Sequence, residues 1–116
     1  MFNKKLGESG ERSAAQLLKS KGYRIIALNY TTKIGEIDIV AQHGDTLVFA
    51  EVKTRTGKNY GLAREAVTKH KQRVYGMVAM QYLKASGGFG KKCRFDVLEV
   101  TPEGVNHIIN AFDYVR

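Results

Sequence analysis

A single cysteine, Cys93, stands among 116 residues. One thiol makes neither an intrachain disulfide nor a cysteine-rich zinc site. Long apolar runs are missing as well. Stretches such as LVFA and MVAM fall far short of the roughly 20 residues that a membrane-spanning helix needs. The opening MFNKKLGESGER has lysines but no apolar h-region, so no secretory signal is expected. These absences point to a cytosolic protein with no membrane partner. No internal repeat or low-complexity tract interrupts the chain. Acidic residues are the other shortage: eleven Asp and Glu face nineteen Lys and Arg, leaving a net charge of +8.

What is present suits one folded domain spanning residues 1–116. Hydrophobic residues make up 43% and charged residues 26%, the composition of a globular protein rather than a disordered one. The positive excess is uneven. Between Lys53 and Arg73 lie Lys53, Arg55, Lys58, Arg64, Lys69, Lys71 and Arg73 against one acid, Glu65, so this segment holds +6 of the +8. A clustered excess is what a surface tracking a phosphate backbone requires, and nucleic acid is the expected partner.

The apolar pattern predicts a helix from about Asn3 or Lys4 to Lys21, stopped by Gly22. Strands are expected over Tyr23–Tyr30, Ile34–Gln42 and Thr46–Lys53. A loop from Thr54 to Gly61 leads to a long helix from about Leu62 to Ala85. A fourth strand, Cys93–Val100, and a fifth, Val105–Phe112, follow around a Pro102-Glu103-Gly104 turn. The fold class is therefore α/β, with helices on the two sides of a mixed sheet.

Gly44-Asp45 suits a two-residue hairpin turn, with Gly at the first central position of type II′. Cross-strand partners then sum to 89. Asp38 comes to face Glu51, Glu36 comes to face Lys53, and all four share one side of the sheet. A three-residue loop would break this register. The same side continues as Val40, Leu47 and Phe49. The reverse side is expected to be apolar: Ile37, Ile39, Ala41, Val48, Ala50 and Val52. Opposed carboxylates repel by about 1 kcal/mol in water at ~4 Å and by about 4 at an effective dielectric near 20. Something positive belongs between them, either Lys53 or a divalent cation; Mg²⁺ and Mn²⁺ favour such oxygen ligands. A solvated strand face with a Glu36–Lys53 ion pair is the plainer alternative. Glu11 falls on the apolar stripe of the first helix, as a site carboxylate or a helix-edge residue. Lys71 falls on the core-facing stripe of the second, where snorkelling to solvent explains it as well. Asp96 reads as structural, paired with an arginine. The histidines lack ligand spacing, and His70 reads as part of the basic surface.

GER-x-x-A near the start, K-x-GEIDIV, FAEVKTR, a Lys-rich helix and RFDV together resemble the YraN-type family of bacterial proteins. That family is similar to archaeal Holliday-junction resolvases and other restriction-endonuclease-like nucleases of the PD-(D/E)xK superfamily. The resemblance runs from about Gly10 to Val100. Ala50 replaces a frequent valine, and Ile37 stands where the superfamily motif has proline, as in many resolvase-like members. The resemblance implies a restriction-endonuclease-like αβββαβ core. It makes Asp38 and Glu51 metal-binding acids, Lys53 the catalytic lysine and Glu11 the first-helix carboxylate. Glu36 is a supporting member of GEID.

The expectation is a Mg²⁺- or Mn²⁺-dependent endonuclease hydrolysing DNA, including branched DNA. Asp38, Glu51, the Val52 carbonyl and Glu11 would hold the metal. Arg55, Lys58, Arg64, Lys69, Lys71 and Arg73 would hold the backbone, and Tyr60 would stack on a base or anchor its loop. The alternative is a non-catalytic nucleic-acid-binding module on the same fold. A homodimer paired through the last strand or second helix is left open.

Overall fold

The computed structural model describes residues 2–55, 67–88 and 90–113, with side chains from residue 10 onward. The chain forms α1 (Phe2–Ser20), β1 (Arg24–Thr31), β2 (Glu36–His43), β3 (Thr46–Thr54), α2 (Lys69–Ser86), β4 (Lys92–Thr101) and β5 (Gly104–Phe112). The strands lie in one sheet in chain order, β1-β2-β3-β4-β5. Only β3 and β4 run parallel, because only that connection contains a helix long enough to carry the chain back across the sheet.

Each helix covers one face. Ala14, Ala15 and Leu18 of α1 pack on Ile39, Ala41, Val48, Ala50 and Leu98. Tyr75, Val78, Ala79 and Leu83 of α2 pack on Val40, Leu47, Phe49, Phe95 and Val97. This is the expected mixed α/β architecture, compatible with a restriction-endonuclease-like core.

The β2–β3 hairpin keeps the expected register. His43 pairs with Thr46 and the ladder continues to Ile39↔Ala50. Gly44 takes φ 62 while Asp45 stays out of the left-handed region, as a type II′ turn requires. Beyond Ile39 the prediction needs correction. The regular pairing stops there, and Ile37 leaves the α1 side to join the α2-side cluster. Period-2 alternation therefore breaks at Asp38. Asn29, between the paired residues Leu28 and Tyr30 on neighbouring β1, has φ 54.

The second helix also departs from expectation. Its described N-terminus is Lys69, not Leu62, with Val67 in a bend before it. Thr68 is the N-cap, and its side chain accepts a hydrogen bond from the Lys71 amide. A capping threonine fixes a start that periodicity alone extends too far.

Candidate active site

Five side chains from three elements converge where β2 and β3 part. Glu51 and Lys53 of β3, and Arg55 just after it, follow at every second residue, an alternation that sets them toward the α2 side. Asp38 of β2 lies beside them. Its Oδ2 accepts the Val52 amide at 2.8 Å, so the carboxyl takes up an N–H beyond the end of the strand ladder. Lys71 and Tyr75, one turn apart on α2, reach down onto Glu51. The Tyr75 hydroxyl donates to Glu51 Oε1. Lys53 Nζ and Lys71 Nζ each lie 3.2 Å from Oε2. Glu51 itself is 3% exposed.

Two glycines permit this convergence. A Cβ on Gly10 would overlap Thr54 Oγ1 at the end of β3, so a glycine lets α1 lie against that strand and bring Glu11 up to Asp38. Gly35, just before β2, leaves a Cβ only 2.5 Å from Val74 Cγ1 of α2. The glycines of GER and GEID are thus contact points of the two helices with the site.

The two carboxyls divide their charge unequally. Burial pushes Asp38 up to about 8, helped by the negative Glu51 and Glu11 and opposed by the Val52 amide. Burial also pushes Glu51 upward, but hydrogen bonds from Tyr75 and Asp38, and the charges of Lys71 and Lys53, outweigh it and hold its carboxyl below the usual range. At neutral pH the pair holds one proton, on Asp38, and one negative charge, on Glu51. The Tyr75 hydroxyl is held well above its ordinary value by burial and the adjacent acids, so it stays a donor.

The oxygen donors suit a hard divalent cation. Among the described residues, however, no three His, Cys, Asp or Glu side chains are grouped closely enough to hold a metal ion. Asp38 and Glu51 make a two-carboxylate site. Mg²⁺ is commonly held by one or two carboxylates, with waters and substrate phosphates completing the shell.

The other predicted residues are distributed as follows. Glu11 is near enough for its charge to act on Asp38. Glu36 does not face Lys53: it pairs with Thr31 of β1 and accepts that hydroxyl at 2.9 Å. The β2–β3 ladder ends before reaching it. Arg55 Nε lies 3.6 Å from Oε2 of buried Glu99, and its amide donates to Val100. Lys69 and Arg73 are exposed on the outer side of α2, with His70 beside them. Lys71 does not simply snorkel, since it pairs with Glu51. Lys58, Tyr60 and Arg64 lie outside the described residues.

Sequence reasoning missed Tyr75 and Glu99. The signal for Tyr75 was its place four residues after Lys71 on the same helical stripe. That for Glu99 was its place two residues beyond Val97 on the inward face of β4. Asp96 is structural, as expected. It is fully buried, takes Arg94 through both oxygens, and accepts from the Asn110 amide and His107.

Among the described residues no helix is long and apolar enough to cross a membrane. Residues 10–100 match the family described as uncharacterised protein family UPF0102. A UPF0102 protein of Symbiobacterium thermophilum is 51% identical over 101 residues, covering 87% of this chain and 86% of the relative. One from Pelotomaculum thermopropionicum is 46% identical over 115 residues, covering 94% and 96%. One from Caldanaerobacter subterraneus subsp. tengcongensis is 48% identical over 118 residues, covering 95% and 97%. With the GER, GEID and EVKTR segments inside the matched span and relatives aligned nearly end to end, the chain belongs to the UPF0102 family.

Proposed function

We propose that the protein is a metal-dependent endonuclease that hydrolyses phosphodiester bonds in DNA. The observation that carries this reading is the convergence of Asp38, Glu51, Lys53 and Lys71 at one point beside the N-terminus of α2. A purely structural ion pair needs one cation for one carboxylate. Here two lysines share one carboxylate oxygen, while a second carboxyl is kept neutral next to it.

Mg²⁺ or Mn²⁺ bound by Asp38 and Glu51 would supply a Lewis acid for the phosphate and an acidified water. The rest falls to the chain. Tyr75 fixes one oxygen of Glu51. Asp38 would release its proton to solvent on holding a cation. Lys53, 28% exposed at its side chain, presents an ammonium that stabilises charge developing on the phosphate. Lys71, at 45%, offers a second. The first turn of α2 contains no acid, so its helix dipole and Lys69 favour an anion there.

Single-turnover cleavage of linear, single-stranded, flapped and four-way DNA tests the proposal, with Mg²⁺ and with Mn²⁺. The wild type is expected to cut at least one of these. Lys53→Ala is expected to cut about 10²–10³-fold more slowly, with DNA binding retained. If the wild type binds DNA but cuts none of them with either ion, the nuclease reading fails and a binding module replaces it.

A further inference from the structure

A cavity of about 330 Å³ opens between α1 and the edge strand β1. Glu11 is one of its lining residues and is also a residue whose charge acts on Asp38, so one end of the cavity lies toward the carboxylate pair. Its chemistry differs from that of the charge cluster. Arg12, Gln16 and Lys19 line it from successive turns of α1, and Leu28 and Asn29 line it from β1. Leu28 is 50% exposed, an apolar surface on the edge strand. Asn29 has φ 54 in mid-strand, a left-handed conformation that asparagine tolerates better than most residues.

Beside the Glu11 carboxylate, the lining offers an apolar platform, a guanidinium, two amides and an ammonium, groups that can recognise an unstacked nucleobase. Arginine planes and apolar side chains cover the face of the base, amides read its edge, and the ammonium takes the flanking phosphate. The volume is ample for one base with part of its sugar.

We infer that this cavity is a subsite for one unpaired nucleobase adjacent to the scissile phosphate. The favoured substrate then carries an unpaired nucleotide beside the cut. This inference rests on the proposed nuclease reading. It adds a base-recognition element that the charge cluster lacks.

The test is binding rather than cleavage. Fluorescence anisotropy in EDTA compares a labelled duplex carrying one unpaired adenosine with the same duplex bearing an abasic residue there. Phosphate number and salt are matched. The wild type is expected to bind the base-containing probe about tenfold more tightly. Gln16→Ala combined with Asn29→Gly, which keeps the left-handed backbone and removes the amide, is expected to bring the two probes close to parity at unchanged abasic affinity. Leu28→Ser is expected to act in the same direction. Equal wild-type affinity for the two probes overturns the subsite while leaving the nuclease reading standing. A preference that survives the double variant also overturns it. Failure of both probes to bind overturns the subsite and the nucleic-acid reading together.

Discussion

Asp38 holds the electrostatic tension of the site. The sequence places two carboxylates together, and their repulsion is plain from register alone. How it is relieved is only partly legible there, because Lys53 belongs to the hairpin whereas Tyr75 and Lys71 come from α2. Tyr75, Lys71 and Lys53 stabilise the charge on Glu51, so the proton resides on Asp38. Removing the Glu51 charge is therefore not the variant that relaxes the metal-free protein; Asp38→Asn is. The sign follows from proton linkage. With Asp38 raised from 3.8 to about 8, the folded state binds this proton more tightly than the unfolded chain does. Its contribution is fully present below pH 4 and is lost as pH rises to about 8. Asparagine does not titrate and still accepts the Val52 amide. In EDTA, Asp38→Asn is expected to match the wild type near pH 4 and to melt about 2–8 °C higher at pH 8.5. Thermal melts across that range check it; a difference independent of pH would contradict the assignment.

At the scale of elements, the hairpin was readable because a glycine at φ 62 and two alternating strands leave one register. Its far end was not, since periodicity announces neither the break in alternation at Asp38 nor the left-handed Asn29 on the neighbouring strand. The start of α2 was misread for a related reason: Thr68 competes with apolar periodicity that continues upstream. Gly10 shows how an element is seated by one missing side chain. Gly10→Ala is expected to destabilise by about 1–3 kcal/mol, and Thr54→Ala in the same protein to recover most of that loss, as a double-mutant cycle in urea would measure. The β4–β5 hairpin depends on a different residue. Asp96→Ala leaves Arg94, His107 and the Asn110 amide without their shared acceptor. It is expected to cost about 3–5 kcal/mol, read from the shift in the urea midpoint.

For the whole molecule, composition and order were enough for a mixed sheet between two helices, because each strand carries its own burial pattern. They were not enough to sort the basic segment. Arg55 turns to Glu99 and Lys71 to Glu51, whereas Lys69 and Arg73 face outward. Salt therefore separates the two groups. Lys69→Ala and Arg73→Ala are each expected to lower the log–log salt slope of duplex binding by about 0.9, and Arg55→Ala to leave it nearly unchanged. A cation at Asp38 and Glu51 would meet two carboxylates among the described residues, so its affinity would depend on a phosphate to complete its shell. Titration of Mn²⁺, followed by the loss of its free-ion electron paramagnetic resonance signal, reads this directly. It is done at fixed DNA with a phosphorothioate or other uncleavable linkage, with and without protein. The expected result is one additional Mn²⁺ per complex, weaker in protein alone and absent with Asp38→Asn. Mn²⁺ uptake that is the same for wild type and Asp38→Asn, or no uptake beyond that of the DNA, would contradict a metal site at these two carboxylates.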